Sequence, residues 1–373
     1  MKNIVVALVA LLALYSCSST VKQAELLPAS SFDTILTGKR VALYTLKNKN
    51  GMVAQITSYG ARVVALWVPS NDGLKDVVWG YPSIRAYLNA TDIFAGPIVG
   101  RYGNRIAKGQ LSIGGKSYRL TINNNGNHLH GGTNGFFSKV WDAKLVSESV
   151  LELTYVSAAG EEGYPGNMAV KVTYTLTNDN SLQIAYEAKA DAPTVVNLTS
   201  HSYFNLHGTS SKSSNSHILT IYADSYTPTD SLLIPTGRIE RVEGTPLDFR
   251  SPKAIGDRIE VPYQALKYGK GYDHNWVLRK DGEAPSLAAE VYEPETGILM
   301  KVYTDQKGLQ FYSGNFMDGV DTGKRGDRHG YRTGIALETQ NFPDAPNHSN
   351  FPSSELRPGE VYRHLCRYTF EIK

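Results

Sequence analysis

Strict two-residue alternation is the feature that most limits what this chain can fold into. From residue 168 onward, Val170, Val172, Tyr174 and Leu176 alternate with Lys171, Thr173, Thr175 and Thr177. After Asn178-Asp179-Asn180 the pattern resumes, with Leu182, Ile184 and Tyr186 set against Gln183, Glu187 and Lys189. A period of two puts every apolar side chain on one face of a strand, and the Asn-Asp-Asn step supplies the turn, so this segment reads as a half-buried β-hairpin. Shorter runs of the same kind occur at 41–46, 53–57, 63–68, 151–156, 217–223, 288–292, 299–303, 309–313 and 361–372. Only 83–89 and 251–258 read as helices, and both are short. Many strands without helical crossovers predict an all-β fold, a large antiparallel sandwich or barrel with few short helices. The 23 tyrosines, 34 glycines and 17 prolines suit strands and turns and supply flat faces for stacking on a ligand.

The 38 basic and 35 acidic residues leave a formal charge of +3, too small a surplus to neutralise a phosphate backbone, so nucleic acid is not an expected partner. Two cysteines, Cys17 and Cys366, cannot build a disulfide framework or a cysteine-rich metal site. Cys366 lies in the alternating C-terminal run and is expected to be a small core residue. The N-terminus has the layout of an export signal: a charged Met1-Lys2-Asn3, an apolar stretch over 4–14, then Tyr15-Ser16-Cys17. The apolar stretch is far shorter than the roughly 20 residues that span a bilayer. Leu14-Tyr15-Ser16-Cys17 resembles a bacterial lipobox, which implies removal of residues 1–16 and a lipid on Cys17. The expectation is therefore a signal peptide (1–16), a tether (17–36) and one domain (37–373), periplasmic, touching a membrane only through the lipid at Cys17.

Six polar segments sit in predicted loops or at strand ends, where a core has no use for them. They are Gly100-Arg101-Tyr102-Gly103-Asn104-Arg105-Ile106, Asn127-His128-Leu129-His130-Gly131-Gly132, Asn197 to Leu206 around His201-Ser202-Tyr203-Phe204, Gly271-Tyr272-Asp273-His274-Asn275, Leu309 to Asn315 around Gln310, and Leu337-Glu338-Thr339-Gln340-Asn341-Phe342-Pro343-Asp344. Histidine, carboxylate, arginine and amide side chains in this combination bind hydroxyls and move protons. Neither a phosphate-cradling glycine loop nor a Gly-x-Ser-x-Gly elbow is present.

Taken together and in this order, these segments resemble the aldose 1-epimerases, the galactose mutarotase family, from about residue 37 to the C-terminus. The resemblance implies a β-sandwich of the supersandwich type. It also implies interconversion of the α and β anomers of free aldoses such as galactose and glucose, without metal or organic cofactor. By the same resemblance Glu338 is the base, His201 the acid and His130 a supporting donor at the ring oxygen, while Asn104, Arg105, Asp273 and Gln310 bind the sugar. Tyr203 or Phe204 would lie against its apolar face. Arg101 suits either a structural or a supporting role, and His128 and His274 are expected to be structural or supporting. The loops at 212–216 and 319–330 are the expected contributors to sugar preference.

Other functions fit parts of the same inventory. His128-x-His130 on a β scaffold would suit a metal enzyme, although the remaining ligand spacing is absent. A non-catalytic sugar-binding module would need Arg105 and Asp273 but not the Glu338/His201 pair, and a third reading is epimerisation of a different sugar or of a sugar phosphate, the latter disfavoured by export.

Overall fold

The structure, a computed structural model, describes residues 24–280 and 282–373. The expected signal peptide and Cys17 lie outside the described residues. Among the described residues no helix is long and apolar enough to cross a membrane.

The alternation at 168–189 forms the hairpin Met168–Leu176 and Ser181–Ala190, paired in register from Met168↔Ala190 to Leu176↔Leu182. This hairpin belongs to a nine-stranded antiparallel sheet. The C-terminal strand Tyr362–Ile372 lies inside that sheet, between Ser181–Ala190 and Ile298–Thr304. A six-stranded sheet runs in the order Tyr203–Phe204, Ile335–Gln340, Gly308–Tyr312, Asp273–Leu278, Ala223–Thr227, Glu240–Arg241. A four-stranded sheet is built from Leu43–Lys47, Val53–Thr57, Arg62–Ser70 and Gly73–Asp76. The apolar faces of all three meet in one core that includes Val172, Tyr174 and Ile184 from the first, Leu309, Phe311 and Leu337 from the second, and Ile56 and Leu66 from the third. Each such side chain contributes roughly 1.5–3 kcal/mol on burial, offset by the entropy of ordering the chain. Cys366 is buried in the same core.

Three expectations change. The run at 217–223 is two strands, Ile218–Ile221 in the nine-stranded sheet and Ala223–Thr227 in the six-stranded one. Tyr222 is the junction: its N–H donates to Ala288 in the first sheet, and its carbonyl accepts from Arg279 beside the second. Alternation continues through such a switch, so the sequence carries no mark of it. Residues 251–258 are not a helix but the short strand Lys253–Ala254 and one 3-10 turn, Ile255–Asp257. Pro252 lacks an N–H and Gly256 favours helix poorly, which leaves too few good positions for a stable turn. A helix forms instead at Gln264–Gly269, where Ala265 and Leu266 are buried, and it ends at Lys270 in the left-handed region. The helix expected at 83–89 is present as Ile84–Asn89, with the Ser83 hydroxyl accepting from Ala86 N–H as its cap. Finally, the stretch 17–36 is not a tether throughout. Phe32 is fully buried and Thr34–Leu36 pairs with Lys39–Val41, so the fold begins before residue 37.

Candidate active site

The strand Ile335–Gln340 is buried at every residue because both of its faces are covered. Ile335 and Leu337 point into the main core, which sends Ala336, Glu338 and Gln340 to the opposite face. Strand register extends that face across the sheet. Glu338 is opposite Gln310, Gln310 is opposite Asn275, Ala336 is opposite both Tyr312 and Tyr203, and Tyr312 is opposite Asp273. One face of the six-stranded sheet is therefore core, and the other presents carboxylates, amides and two tyrosines.

The remaining groups arrive on loops. His201 is fixed by its backbone: its N–H donates to Pro97 and its carbonyl accepts from Gly96. His130 has φ 52° and is locked to Asn104 twice, through its own N–H to the Asn104 carbonyl and through Nδ1, which accepts the Asn104 N–H at 3.1 Å. Gly131, at φ +85°, makes this turn possible, since a Cβ there would lie 1.8 Å from the Gly100 carbonyl oxygen. The His-Gly-Gly and Gly-Arg segments are thus pressed together by backbone contact.

These elements enclose a cavity of about 590 Å³ whose wall includes Asn104, Arg105, His130, His201, Tyr203, Asp273 and Glu338. His201 Nε2 lies 3.6 Å from Glu338 Oε1, and both side chains are almost fully buried. Glu338 Oε2 makes no hydrogen bond among the described residues. Burial raises the Glu338 carboxyl well above the ordinary carboxylate range, and the nearby Asp273 adds to this while Arg105 opposes it. Burial also lowers the His201 imidazole to about 4, and His130 is pushed well below its ordinary value by burial, with His201, Arg105 and His128 adding to it. The donor atoms of His130, His201 and Glu338 lie within 4.8 Å of one another, close enough for these three to hold a divalent cation.

Six of the seven residues expected at the site line this cavity, and Gln310 does not. Gln310 instead donates from Nε2 to Asp273 Oδ1 at 2.7 Å, fixing that carboxylate from the next strand. Tyr203 faces the cavity, whereas Phe204 turns into the core against Tyr368. Arg101 is structural: its guanidinium donates to the carbonyls of Ser157, Ala158, Pro165 and Gly166. His128 and His130 point apart, and His128 bonds the Thr121 carbonyl and the Tyr164 hydroxyl in the core, so the His-x-His pair does not converge on one point. His274 is also buried, its Nδ1 accepting from the Asp273 N–H. The segment 319–330 reaches the cavity through Asp321 and His329, whereas 212–216 does not line it.

The sequence did not reveal Asp92, which lines the cavity beside Tyr203 and is pushed up to about 6 by burial. It follows a short helix in an irregular segment with no periodicity to mark it. Tyr312 was also unassigned, yet its two-residue spacing from Gln310 on a strand would have placed it on the functional face.

The sequence profile of the family described as aldose 1-epimerase matches residues 42–369. Galactose mutarotase of Rattus norvegicus is 44% identical over 318 residues, covering 85% of this chain and 90% of that protein. Aldose 1-epimerase of Escherichia coli K12 is 38% identical over 337 residues, covering 89% of this chain and 96% of that one. Among solved structures, an aldose epimerase homologue from C. elegans superposes with a TM-score of 0.80 at 30% identity, covering 89% of this chain and 99% of that chain. Galactose 1-epimerase from Lactobacillus acidophilus gives a TM-score of 0.80 at 28% identity over 91% and 97%. Because the match runs through nearly every strand that builds the cavity, this chain belongs to the aldose 1-epimerase family.

Proposed function

We propose that the protein is an aldose 1-epimerase that interconverts the α and β anomers of free aldoses such as galactose and glucose. Glu338 acts as base, His201 as acid and His130 as a supporting donor, while Asn104, Arg105 and Asp273 hold the sugar and Gln310 orients Asp273. The observation that carries this reading is the buried, closely facing Glu338/His201 pair on the wall of a cavity lined by hydroxyl-binding groups.

Mutarotation needs one proton removed from the anomeric hydroxyl and one delivered to the ring oxygen, two atoms on the same carbon. A carboxylate and an imidazole 3.6 Å apart can serve both from one side. As the ring C–O bond breaks, Glu338 takes the hydroxyl proton and His201 gives its proton to the ring oxygen. The pair passes from carboxylate and imidazolium to carboxylic acid and neutral imidazole, the forms that burial favours at both groups. Rotation about C1–C2 then presents the other carbonyl face, and closure returns both protons. Polarimetry on freshly dissolved α-D-glucose and α-D-galactose tests this: the protein should speed relaxation to the unchanged final rotation, and no acceleration with any aldose would overturn it.

The working pair holds a single proton, which fixes a pH dependence. Below about 4 both groups are protonated and the base is lost. As pH rises through the elevated Glu338 value the remaining proton leaves and the acid is lost. A plot of kcat/KM against pH should therefore be bell-shaped, with its acid limb near pH 4 and its alkaline limb well above the ordinary carboxylate range. A rate that keeps rising with pH across neutrality would mean that hydroxide, not this pair, carries the reaction.

We propose further that the protein is exported, lipidated on Cys17 and held at a bacterial membrane in the periplasm. The charged, apolar and Cys17-bearing N-terminus supports this. Fractionation of cells making the full chain should find it with membranes, and Cys17→Ala should move it to the soluble fraction. An unchanged distribution would remove the lipid anchor from the proposal.

A further inference from the structure

Outside the sugar cavity, a second group of ligating side chains gathers at the turn that joins Ser286–Glu293 to Ile298–Thr304. His207 Nδ1 lies 3.4 Å from Glu293 Oε1 and 3.8 Å from Glu295 Oε2, and all three donor atoms fall within 4.8 Å of one another. His207 is 9% exposed and Glu293 1%, whereas Glu295 reaches solvent.

Neither contact is a hydrogen bond, and His207 Nδ1 has no hydrogen-bond partner among the described residues. The shorter of the two matches the edge of a tetrahedral coordination shell, and the longer stands slightly beyond it. Ligands about 2.0–2.2 Å from one zinc ion stand about 3.4 Å from each other. The ring is also oriented as a ligating histidine is, because its other nitrogen, Nε2, is hydrogen-bonded to the Ser216 hydroxyl at 3.1 Å. The Glu293 carboxylate is held in place by two N–H groups, Glu295 donating to Oε1 and Thr296 to Oε2, and Oε1 also faces His207. The Lys212 ammonium pairs with Glu295, whereas among the described residues no lysine or arginine pairs with the buried Glu293, so a cation at His207 Nδ1 would neutralise a carboxylate that has no such partner.

We propose that His207, Glu293 and Glu295 form a binding site for a divalent transition cation of the Zn²⁺ type, separate from the sugar cavity. One nitrogen and two carboxylate oxygens, with a fourth position open toward solvent, suit zinc better than calcium or magnesium, which take oxygen ligands. Lys212 is the built-in competitor: its ammonium pairs with Glu295 Oε2, but its half-exposed side chain is free to swing away. The bound ion would tie the turn at 293–297 to the loop that follows Tyr203–Phe204, six residues after His201. The Thr296 hydroxyl already donates to the Leu206 carbonyl, so the ion would reinforce an existing contact.

Calorimetric titration of the chelator-treated full chain with ZnCl₂, paired with thermal unfolding, tests the site. The expected result is an ion that raises the unfolding midpoint and whose affinity falls about tenfold or more in Glu295→Gln, a solvent-facing change that leaves the fold intact. His207→Phe should abolish binding, and Lys212→Ala should tighten it several-fold, which loss of a merely structural contact would not do. Glu338→Gln separates this site from the sugar cavity and should retain the ion. No binding by wild type, or binding lost in Glu338→Gln and kept in Glu295→Gln, would overturn the proposal without touching the epimerase assignment.

Discussion

Glu338→Gln is expected to lower kcat by about 10³–10⁴-fold while leaving KM nearly unchanged. The amide has the shape of the carboxylate and can still bond a hydroxyl, but it cannot accept the anomeric proton. A 10³-fold loss corresponds to about 4 kcal/mol of transition-state stabilisation. The size of the effect follows from where Glu338 sits. A solvated carboxylate is a weak base at neutral pH, whereas this one is fully buried, unpaired at Oε2 and raised further by Asp273. Because burial already favours the neutral form of the side chain, glutamine should not weaken the fold, and the unfolding midpoint serves as the control. Progress curves by polarimetry, with the sugar affinity measured separately by calorimetry, decide the matter. Wild-type turnover in the variant would remove Glu338 from the base position.

His201→Gln is expected to reduce kcat by about 10²–10⁴-fold and also to change the shape of the pH profile. Glutamine preserves a hydrogen-bonding group near Glu338 but cannot carry a proton to the ring oxygen. The acid limb near pH 4 should shift, because it belongs to the His201 imidazole and the acid left to pair with Glu338 is His130, while the alkaline limb set by Glu338 persists. Residual activity would come from His130, whose ring stands 5.2 Å from that of His201 and is locked to Asn104. If the variant keeps both limbs and most of its rate, His130 is the acid and His201 only supports it. Both substitutions leave Arg105 and Asp273 in place, so sugar binding should survive each of them.

The two histidines of the His128-x-His130 segment show how far local pattern goes. Their spacing suggested a shared target, yet His128 bonds Tyr164 in the core and His130, itself in the left-handed conformation, turns to the cavity. No one-dimensional pattern encodes that divergence, because it depends on the Gly100 backbone pressing against Gly131 from a distant part of the chain. The missed helix at Gln264–Gly269 has a similar cause: its six residues carry no side-chain cap at Tyr263 and gain their stability by burying Ala265 and Leu266.

By itself the sequence determined the strand-rich fold class, the Met168–Ala190 hairpin and the identity of the family, along with six of the residues that line the cavity. It could do so because alternation and turn chemistry act over a few residues, and because the polar motifs stand where an apolar core would exclude them. Only the tertiary structure decided which face of Ile335–Gln340 is core and which is site, how deeply Glu338 and His201 are buried, and that the chain changes sheet at Tyr222. It alone brought Asp92 to the cavity and His207 to Glu293 and Glu295. Burial depth, proton affinity and ligand convergence are set by segments far apart in the chain, and spacing along one strand carries no record of them.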